Sequence, residues 1–292
     1  MSPAPRPADP GRPLAGRVVA LTRGPDRAGL LGAALRNAGA TVLAVPVIDF
    51  SWPDDVARFD AALAGLGGGR YGWLAVTSAT TVTALTGRAG ALGRTLPDLL
   101  SGGCVRVAAV GPATADALAA AGVHVDLVPD GPSSAETLAA AWPAREQTAR
   151  PVLLPHSDLA AGTLHHRLTS AGWAVETVTA YHTVDYPADA DRSLSSPGPR
   201  GDGDPRTVAE AQDARPDAVV ATSPSTARRW LAAGDPCPLV AIGTTTARAA
   251  EEVGTTPAAV AATTRPEDLV RAVVRAVHRE PTDPLPAADP PQ

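Results

Sequence analysis

The chain of 292 residues contains no lysine; all 25 of its Lys and Arg positions are arginine. That absence excludes Schiff-base chemistry, covalent attachment of pyridoxal phosphate and any phosphate-loop lysine. Cysteine is almost as scarce. Cys104 and Cys237 each adjoin an apolar run that reads as a buried strand, and they are expected to be reduced core-edge residues of a cytoplasmic protein. No CxxC pair or His/Cys cluster at ligand spacing occurs, and His165 and His166 fall on different faces of a helix, so no metal site is expected. No apolar run reaches the roughly 18 residues of a membrane span, and the first residues lack the basic-then-apolar order of a secretion signal. A basic excess is missing too. The net charge of −5 and the 3% aromatic content offer neither the cationic face nor the stacking platforms of a nucleic-acid binder.

What the chain has is a soluble composition, 45% apolar and 19% charged, with length enough for two domains. Residues 1–15, rich in Pro, Arg and Ala, read as a disordered leader, and 280–292 as a disordered Pro-rich tail. Between them short apolar strands alternate with helices. Strands are expected at 17–21, 41–45, 73–76, 105–110, 123–128, 151–155, 175–178, 217–221, 239–242 and 258–262. The first helix runs to about Ala38 with Leu30, Leu31 and Leu35 placed on one face. Residues 187–216, dominated by Pro, Asp, Ser and Gly, read as one long mobile insertion.

The pattern also repeats. The β-α-β unit at 17–45 matches 151–178 in spacing, and Ala75-Val76-Thr77-Ser78 matches Val220-Ala221-Thr222-Ser223. Val110-Gly111-Pro112-Ala113-Thr114 matches Ile242-Gly243-Thr244-Thr245-Thr246 in the same order. Strands alternating with helices imply an α/β fold with parallel sheets covered on both faces. Two stretches, 45–50 and 181–186, run from an apolar strand into a polar extended segment without a turn signal, and read as ribbons crossing between two lobes. One lobe would then combine 17–47 with 184–278, and the other would be 51–180. Two consecutive domains divided near residue 147 is the simpler alternative.

Ligands of open parallel sheets bind beyond the carboxyl ends of the strands. This chain places Thr22-Arg23, Thr77-Ser78, Gly111-Pro112-Ala113-Thr114, Ser157, Thr222-Ser223 and Gly243-Thr244-Thr245-Thr246 there. They are small or hydroxylic and sit at helix starts, where free N–H groups and the dipole favour an anion; only Arg23 adds a full positive charge. Taken singly, each Ser or Thr reads as an N-cap. As a set they suit a ligand with many carboxylates, and the absence of a GxGxxG turn leading from a strand into a helix, and of a phosphate loop, argues against a nucleotide. Acid–base candidates are few. His156 reads as a polar strand-end residue, Asp158 as a first-turn helix acid, and His182 as solvent-facing or capping. No Ser-His-Asp set or converging carboxylate pair occurs. Tyr181, one of three tyrosines, stands at the crossing and is the candidate for chemistry.

The ordered set of Leu21-Thr22-Arg23, Val76-Thr77-Ser78-Ala79, Val110-Gly111-Pro112-Ala113-Thr114-Ala115, Ala180-Tyr181-His182-Thr183, Ala221-Thr222-Ser223-Pro224-Ser225 and Ile242-Gly243-Thr244-Thr245-Thr246-Ala247 resembles the uroporphyrinogen-III synthase family across 17–278. The resemblance implies two flavodoxin-like lobes, segment-swapped and joined by a two-ribbon hinge. It implies closure of hydroxymethylbilane, a linear tetrapyrrole rich in carboxylates, with inversion of the last ring. Tyr181 corresponds to the family's ribbon tyrosine and is its implied catalytic assistant. Thr22, Arg23, Thr77, Ser78, Ala79, Gly111, Pro112 and Thr114 are implied substrate-binding positions, as are Ser157, Thr222, Ser223, Ser225, Gly243, Thr244 and Thr246. No cofactor is implied, and the protein is expected to be a monomer in transient contact with hydroxymethylbilane synthase. Where relatives often carry Arg-Gly after the strand at 151–155, this chain has His156-Ser157. A non-catalytic two-lobe binding or sensory module is the competing reading. A nucleotide-using transferase is disfavoured by the absence of a phosphate loop and of an acidic metal pair.

Overall fold

The computed structural model describes residues 11–194, 205–234 and 237–278. In chain order the elements are β1 (Val18–Leu21), α1 (Pro25–Asn37), β2 (Thr41–Ala44), β3 (Ile48–Ser51), α2 (Val56–Gly67), β4 (Trp73–Val76), α3 (Ala79–Ala91) and α4 (Leu96–Ser101). β5 (Arg106–Ala109), α5 (Pro112–Ala120), α6 (Ala135–Ala141), β6 (Val152–Ser157), α7 (Thr163–Ser170) and β7 (Val175–Asp185) follow. The last are α8 (Val208–Asp213), β8 (Ala218–Ala221), α9 (Pro224–Ala232), β9 (Leu239–Ala241), α10 (Thr244–Glu251), β10 (Ala259–Val260) and α11 (Pro266–Val277). The chain divides into two compact units: residues 1–48 with 198–292, and residues 49–197.

The discontinuous unit holds a five-stranded sheet in the order β10-β9-β8-β1-β2, and all its pairings are parallel. Strands such as VVAL and AVVA are apolar without alternation because helices cover both faces. Leu31, Leu35, Leu269 and Val273 pack on one face, and Trp230, Ala227 and Ala247 on the other. β1 and β8 are also tied at their N-terminal ends, where Arg17 donates to Asp217 at 2.8 Å and the Asp217 carboxylate accepts from the Val18 N–H at 2.8 Å.

The continuous unit has a sheet of order β3-β7-β6-β4-β5. α2 buries Phe59, Ala62, Leu63 and Leu66, one stripe at helical spacing; it packs with Leu74, Leu85 and Leu153. The opposite face carries Trp73, Trp142 and Trp173, with Trp73 and Trp142 ring centroids 4.9 Å apart. Arg106 lies over the Trp73 ring at 4.3 Å, so the rim of this aromatic cluster is closed by a cation.

Several expectations change. The leader is structured from residue 11: Leu14 is fully buried, and its N–H donates to the Ala38 carbonyl at 2.8 Å. A single apolar residue has no periodicity, which is why the sequence pattern conceals it. Leu30 is 80% exposed while Leu31 and Leu35 are buried, because adjacent helical residues diverge by about 100° and Gly29 breaks α1 at φ 38. The strand expected at 123–128 is reduced to a parallel bridge between Leu127 and Ala108. The expected insertion is ordered at both ends. Ser193 bridges Ser51, and the Leu194 N–H donates to Phe50, extending the edge at β3. α8 starts on a capping box between Thr207 and Glu210 and buries Ala211. The centre of the insertion, 195–204, lies outside the described residues, as do 1–10 and 279–292. Cys104 is exposed rather than at a core edge, and Cys237 is buried. Among the described residues no helix is long and apolar enough to cross a membrane.

Candidate active site

In the continuous unit β7 is the organising strand. At 11 residues it outlasts its neighbour β6, which ends at Ser157. The parallel register runs from Val152↔Val175 to His156↔Thr179 and then shifts, so that Ser157 faces Tyr181. That bulge brings the Tyr181 ring beside the end of β4, where Ser78 starts α3. The Tyr181 hydroxyl lies 3.1 Å from Ser78 Oγ. Ser78 Oγ also accepts the Thr81 N–H at 3.0 Å and sits 2.9 Å from Thr81 Oγ1. Phe50, on β3, meets the Tyr181 ring edge-on at 5.4 Å. The ring is therefore fixed by packing and by one hydroxyl partner, and Tyr181 is only 7% exposed.

A cavity of about 470 Å³ opens here, lined among others by Thr77, Ser78, His156, Ser157, His165 and Tyr181, with Leu154, Leu164 and Ala161 as apolar wall. Its size falls in the range of small-molecule sites, about 300–1,000 Å³. His156 Nδ1 is 2.6 Å from the Ser157 carbonyl oxygen; this contact requires a proton on Nδ1 and leaves Nε2 for another partner.

Asp158 is not the first-turn acid that its place in the sequence suggested. α7 begins only at Thr163, and the Asp158 carboxylate accepts the Thr183 N–H of β7 at 2.9 Å. Oδ2 of Asp158 lies 3.3 Å from His182 Nδ1. His182 is thus half-buried between carboxylates, with Asp54 3.8 Å from its Nε2, rather than turned to solvent. Asp54 in turn pairs with Arg192 at 2.5 Å. The hydrogen bond from Arg192, then the Arg192 charge and then His182 hold the Asp54 carboxyl below the usual carboxylate range.

The other strand-end residues divide by what already occupies them. Ala79 and Pro112 are the exposed first residues of α3 and α5. Gly111 is buried, and a Cβ added there would lie 2.0 Å from Ser133 Oγ; its need for glycine is therefore this close approach. Thr114 and Thr246 are buried, at 5% and 1% exposure, so their side chains face the core. In the discontinuous unit Thr22 Oγ1 donates to the Val220 carbonyl and accepts the Thr222 N–H, both at 3.1 Å. Thr222 Oγ1 donates to the Thr22 carbonyl at 3.3 Å. These two threonines tie β1 to β8. Ser223 caps α9 and contacts Ser225 at 3.1 Å. Gly243 starts α10 with no side-chain cap and nothing within 4 Å of an added Cβ, and Thr244 is exposed. The first N–H groups of α10 are accordingly left without a side-chain cap. Arg23 is half-buried.

Phe50, His165, Asp158 and His182 join the tyrosine's surroundings without having been read as partners of it. Phe50 had a signal as an aromatic inside the other expected ribbon, and Asp158 and His182 as titratable residues near Tyr181 whose contacts the sequence does not show; His165 had none.

Residues 30–271 match the family model described as uroporphyrinogen-III synthase HemD. The chain belongs to the uroporphyrinogen-III synthase family. A curated uroporphyrinogen-III synthase from Synechococcus elongatus is 32% identical over 118 residues, a stretch that spans 40% of this chain and 42% of that relative. Among solved structures, a mutant uroporphyrinogen III synthase from the extremely thermophilic bacterium Thermus thermophilus superposes with a TM-score of 0.52 at 21% identity, covering 91% of this chain and 100% of that one. The Helicobacter pylori uroporphyrinogen-III synthetase gives 0.51 at 16% identity, covering 87% and 97%. At such identities the likeness is one of fold: uroporphyrinogen-III synthase family members share this α/β architecture of two helix-covered, parallel-dominated sheets.

Proposed function

We propose that the protein converts hydroxymethylbilane to uroporphyrinogen III, inverting the last pyrrole ring and releasing water, a hydro-lyase step of tetrapyrrole and heme biosynthesis. The reading is supported by family membership across 30–271 and, above all, by the Tyr181 hydroxyl lining an apolar-walled cavity beside Ser78.

Loss of the substrate's terminal hydroxyl gives an electrophilic azafulvene. The substituted carbon of the last ring attacks it to form a spiro intermediate, and fragmentation with recombination inverts that ring. The demand on the protein is orientation of a curled chain more than strong acid or base. A tyrosine hydroxyl is both donor and acceptor, and Tyr181 donates a hydrogen bond to the departing hydroxyl. The apolar wall takes the reacting pyrrole end. Within each unit taken by itself, substrate carboxylates suit the open N–H groups and hydroxyls of Thr77, Ser78, Ala79 and Ser157 in the continuous unit and of Arg23, Ser225, Gly243 and Thr244 in the discontinuous one, while Pro112, which has no N–H, only shapes the start of α5. Thr22, Thr222, Thr114, Thr246 and Gly111 serve mainly to shape those ends. The protein acts in the cytoplasm as a monomer and receives its labile substrate by transient contact with hydroxymethylbilane synthase.

Hydroxymethylbilane supplied in situ, with product isomers separated, tests the reading. Spontaneous closure gives the type I isomer, so type III product is expected only with folded protein. Type I alone would leave a non-catalytic tetrapyrrole-binding module. Tyr181→Phe keeps the ring against Phe50 and removes the donor. General-acid assistance is typically worth about 10²–10⁴-fold; here about tenfold to a hundredfold in kcat is expected, because the pyrrole already activates the leaving group. An unchanged kcat would return the tyrosine to a packing role.

A further inference from the structure

We propose that Asp158 is a positioning residue for Tyr181, acting through the backbone of β7; the proposal rests on the catalytic reading of Tyr181 given above. β6 ends at Ser157, so the last residues of β7 run past their ladder partner on that side. Asp158 takes over from the ladder. Its N–H donates to the Tyr181 carbonyl at 3.2 Å, and its Oδ1 accepts the Thr183 N–H at 2.9 Å. Its Oδ2 lies 3.3 Å from Nδ1 of His182, the residue between them. One residue therefore grips three successive positions of β7.

The grip matters because of strand periodicity. Tyr181 and Thr183 project to one face and His182 to the other. The register has already shifted between His156 and Ser157, and a further slip by one residue would exchange the faces. The bond from the Thr183 N–H and the contact with the His182 ring, both to the Asp158 carboxylate, oppose that slip. They hold the Tyr181 hydroxyl within 3.1 Å of Ser78. His182 is itself braced from its far side by Asp54, which Arg192 holds. The ion cluster on the outer face of β7 thereby fixes a hydroxyl on its inner face.

Steady-state kinetics of Asp158→Ala and Asp158→Asn, alone and combined with Tyr181→Phe, test this, with ring-¹³C tyrosine NMR as a second readout. The chain has three tyrosines, so the Tyr181 resonance is identified by its loss in Tyr181→Phe. Asp158→Ala is expected to lower kcat about fivefold to tenfold with KM within about twofold, and to move the Tyr181 resonance alone. Asp158→Asn keeps an acceptor for Thr183 and should restore most of both. In the double variant the Asp158 loss should vanish, because its effect runs through the hydroxyl already removed. Wild-type kcat in Asp158→Ala, effects that multiply in the double variant, or an unmoved Tyr181 resonance would each overturn the proposal. Should Asp158→Ala fail to fold, Asp158→Ser, too short to reach Thr183, replaces it in the same cycle. If Tyr181→Phe by itself leaves kcat unchanged, the catalytic reading fails instead, while the resonance shift still reports whether Asp158 positions the ring.

Discussion

The two units carry the same strand order and different ends. Read from one edge, β10-β9-β8-β1-β2 in the discontinuous unit corresponds to the Leu127 bridge, β5, β4, β6 and β7 in the continuous one, where β3 is added beyond. The repeated segments therefore build the same scaffold twice. What differs is length and filling at the carboxyl ends. β2 has four residues, but its counterpart β7 has 11, and the excess carries Tyr181. The serines at the matched helix starts both cap, but Ser223 turns to Ser225 whereas Ser78 meets Tyr181. Gly111 is covered by Ser133, and Gly243 is open. A duplicated scaffold thus supplies two sets of helix starts, and one overlong strand supplies the candidate chemistry to only one of them.

The largest difference expected between the units is alkaline. All three tyrosines, Tyr71, Tyr181 and Tyr186, lie in the continuous unit. Tyr71 is fully buried. Burial first, and then the Glu176 carboxylate, push its hydroxyl from the ordinary 10 up to about 12. A raised folded-state pKa means stability that is complete below pH 10 and is lost as pH rises toward 12. At full titration the loss is about 3 kcal/mol. Urea midpoints on either side of that window should fall in the parent protein and fall less in Tyr71→Phe; identical pH profiles would remove Tyr71 as the cause. The next largest effect is steric. Gly111→Ala sets a Cβ 2.0 Å from Ser133 Oγ and should cost about 1–2 kcal/mol, the low part of the overpacking range, since a serine side chain can rotate. Gly243→Ala meets nothing within 4 Å and lacks that steric cost, leaving only the preference for Gly over Ala at an N-cap, about 0.5–1 kcal/mol. Thermal denaturation separates the two, and equal losses would mean the ends are not differently filled. The smallest effect compares the caps. Ser78→Ala and Ser223→Ala each remove an N-cap worth about 1 kcal/mol. Only Ser78→Ala also strips Tyr181 of its partner, a bond worth about 1 kcal/mol. In steady-state assays kcat should therefore drop by about threefold to fivefold there and remain unchanged in Ser223→Ala.

The fold class was readable because each strand is a short apolar run bounded by helix starts, as in Trp73–Val76 before the Ser78 cap. Features carried by one residue or by a contact across the sheet were not. Leu14 is a single apolar residue in a Pro-rich stretch. α8 is six residues long and is held by a Thr207–Glu210 capping box within a segment whose composition reads as loop. Phe59, Ala62, Leu63 and Leu66 on α2 show helical spacing, so that helix is legible in the sequence. In the site, the hydroxylic helix starts were visible as a set. Their division into occupied and open was not, because occupation depends on Ser133, Thr81 and Val220, which are distant in sequence or a turn away.

By itself the sequence determined the alternation of strands and helices, their duplication, and the exclusion of lysine and phosphate-loop chemistry. These follow from local patterning and from which side chains exist. Only the tertiary structure decided which strand lies beside which. VVAL, WLAV and AVVA are nearly interchangeable apolar tetrads, and nothing in them names a neighbour. β1 finds β8 about 200 residues away, through contacts such as Arg17–Asp217. The setting of Tyr181 was likewise decided in three dimensions. A register shift between β6 and β7, and a carboxylate gripping the strand after that shift, depend on two strands meeting. The pattern along either strand alone is the same whether or not they meet.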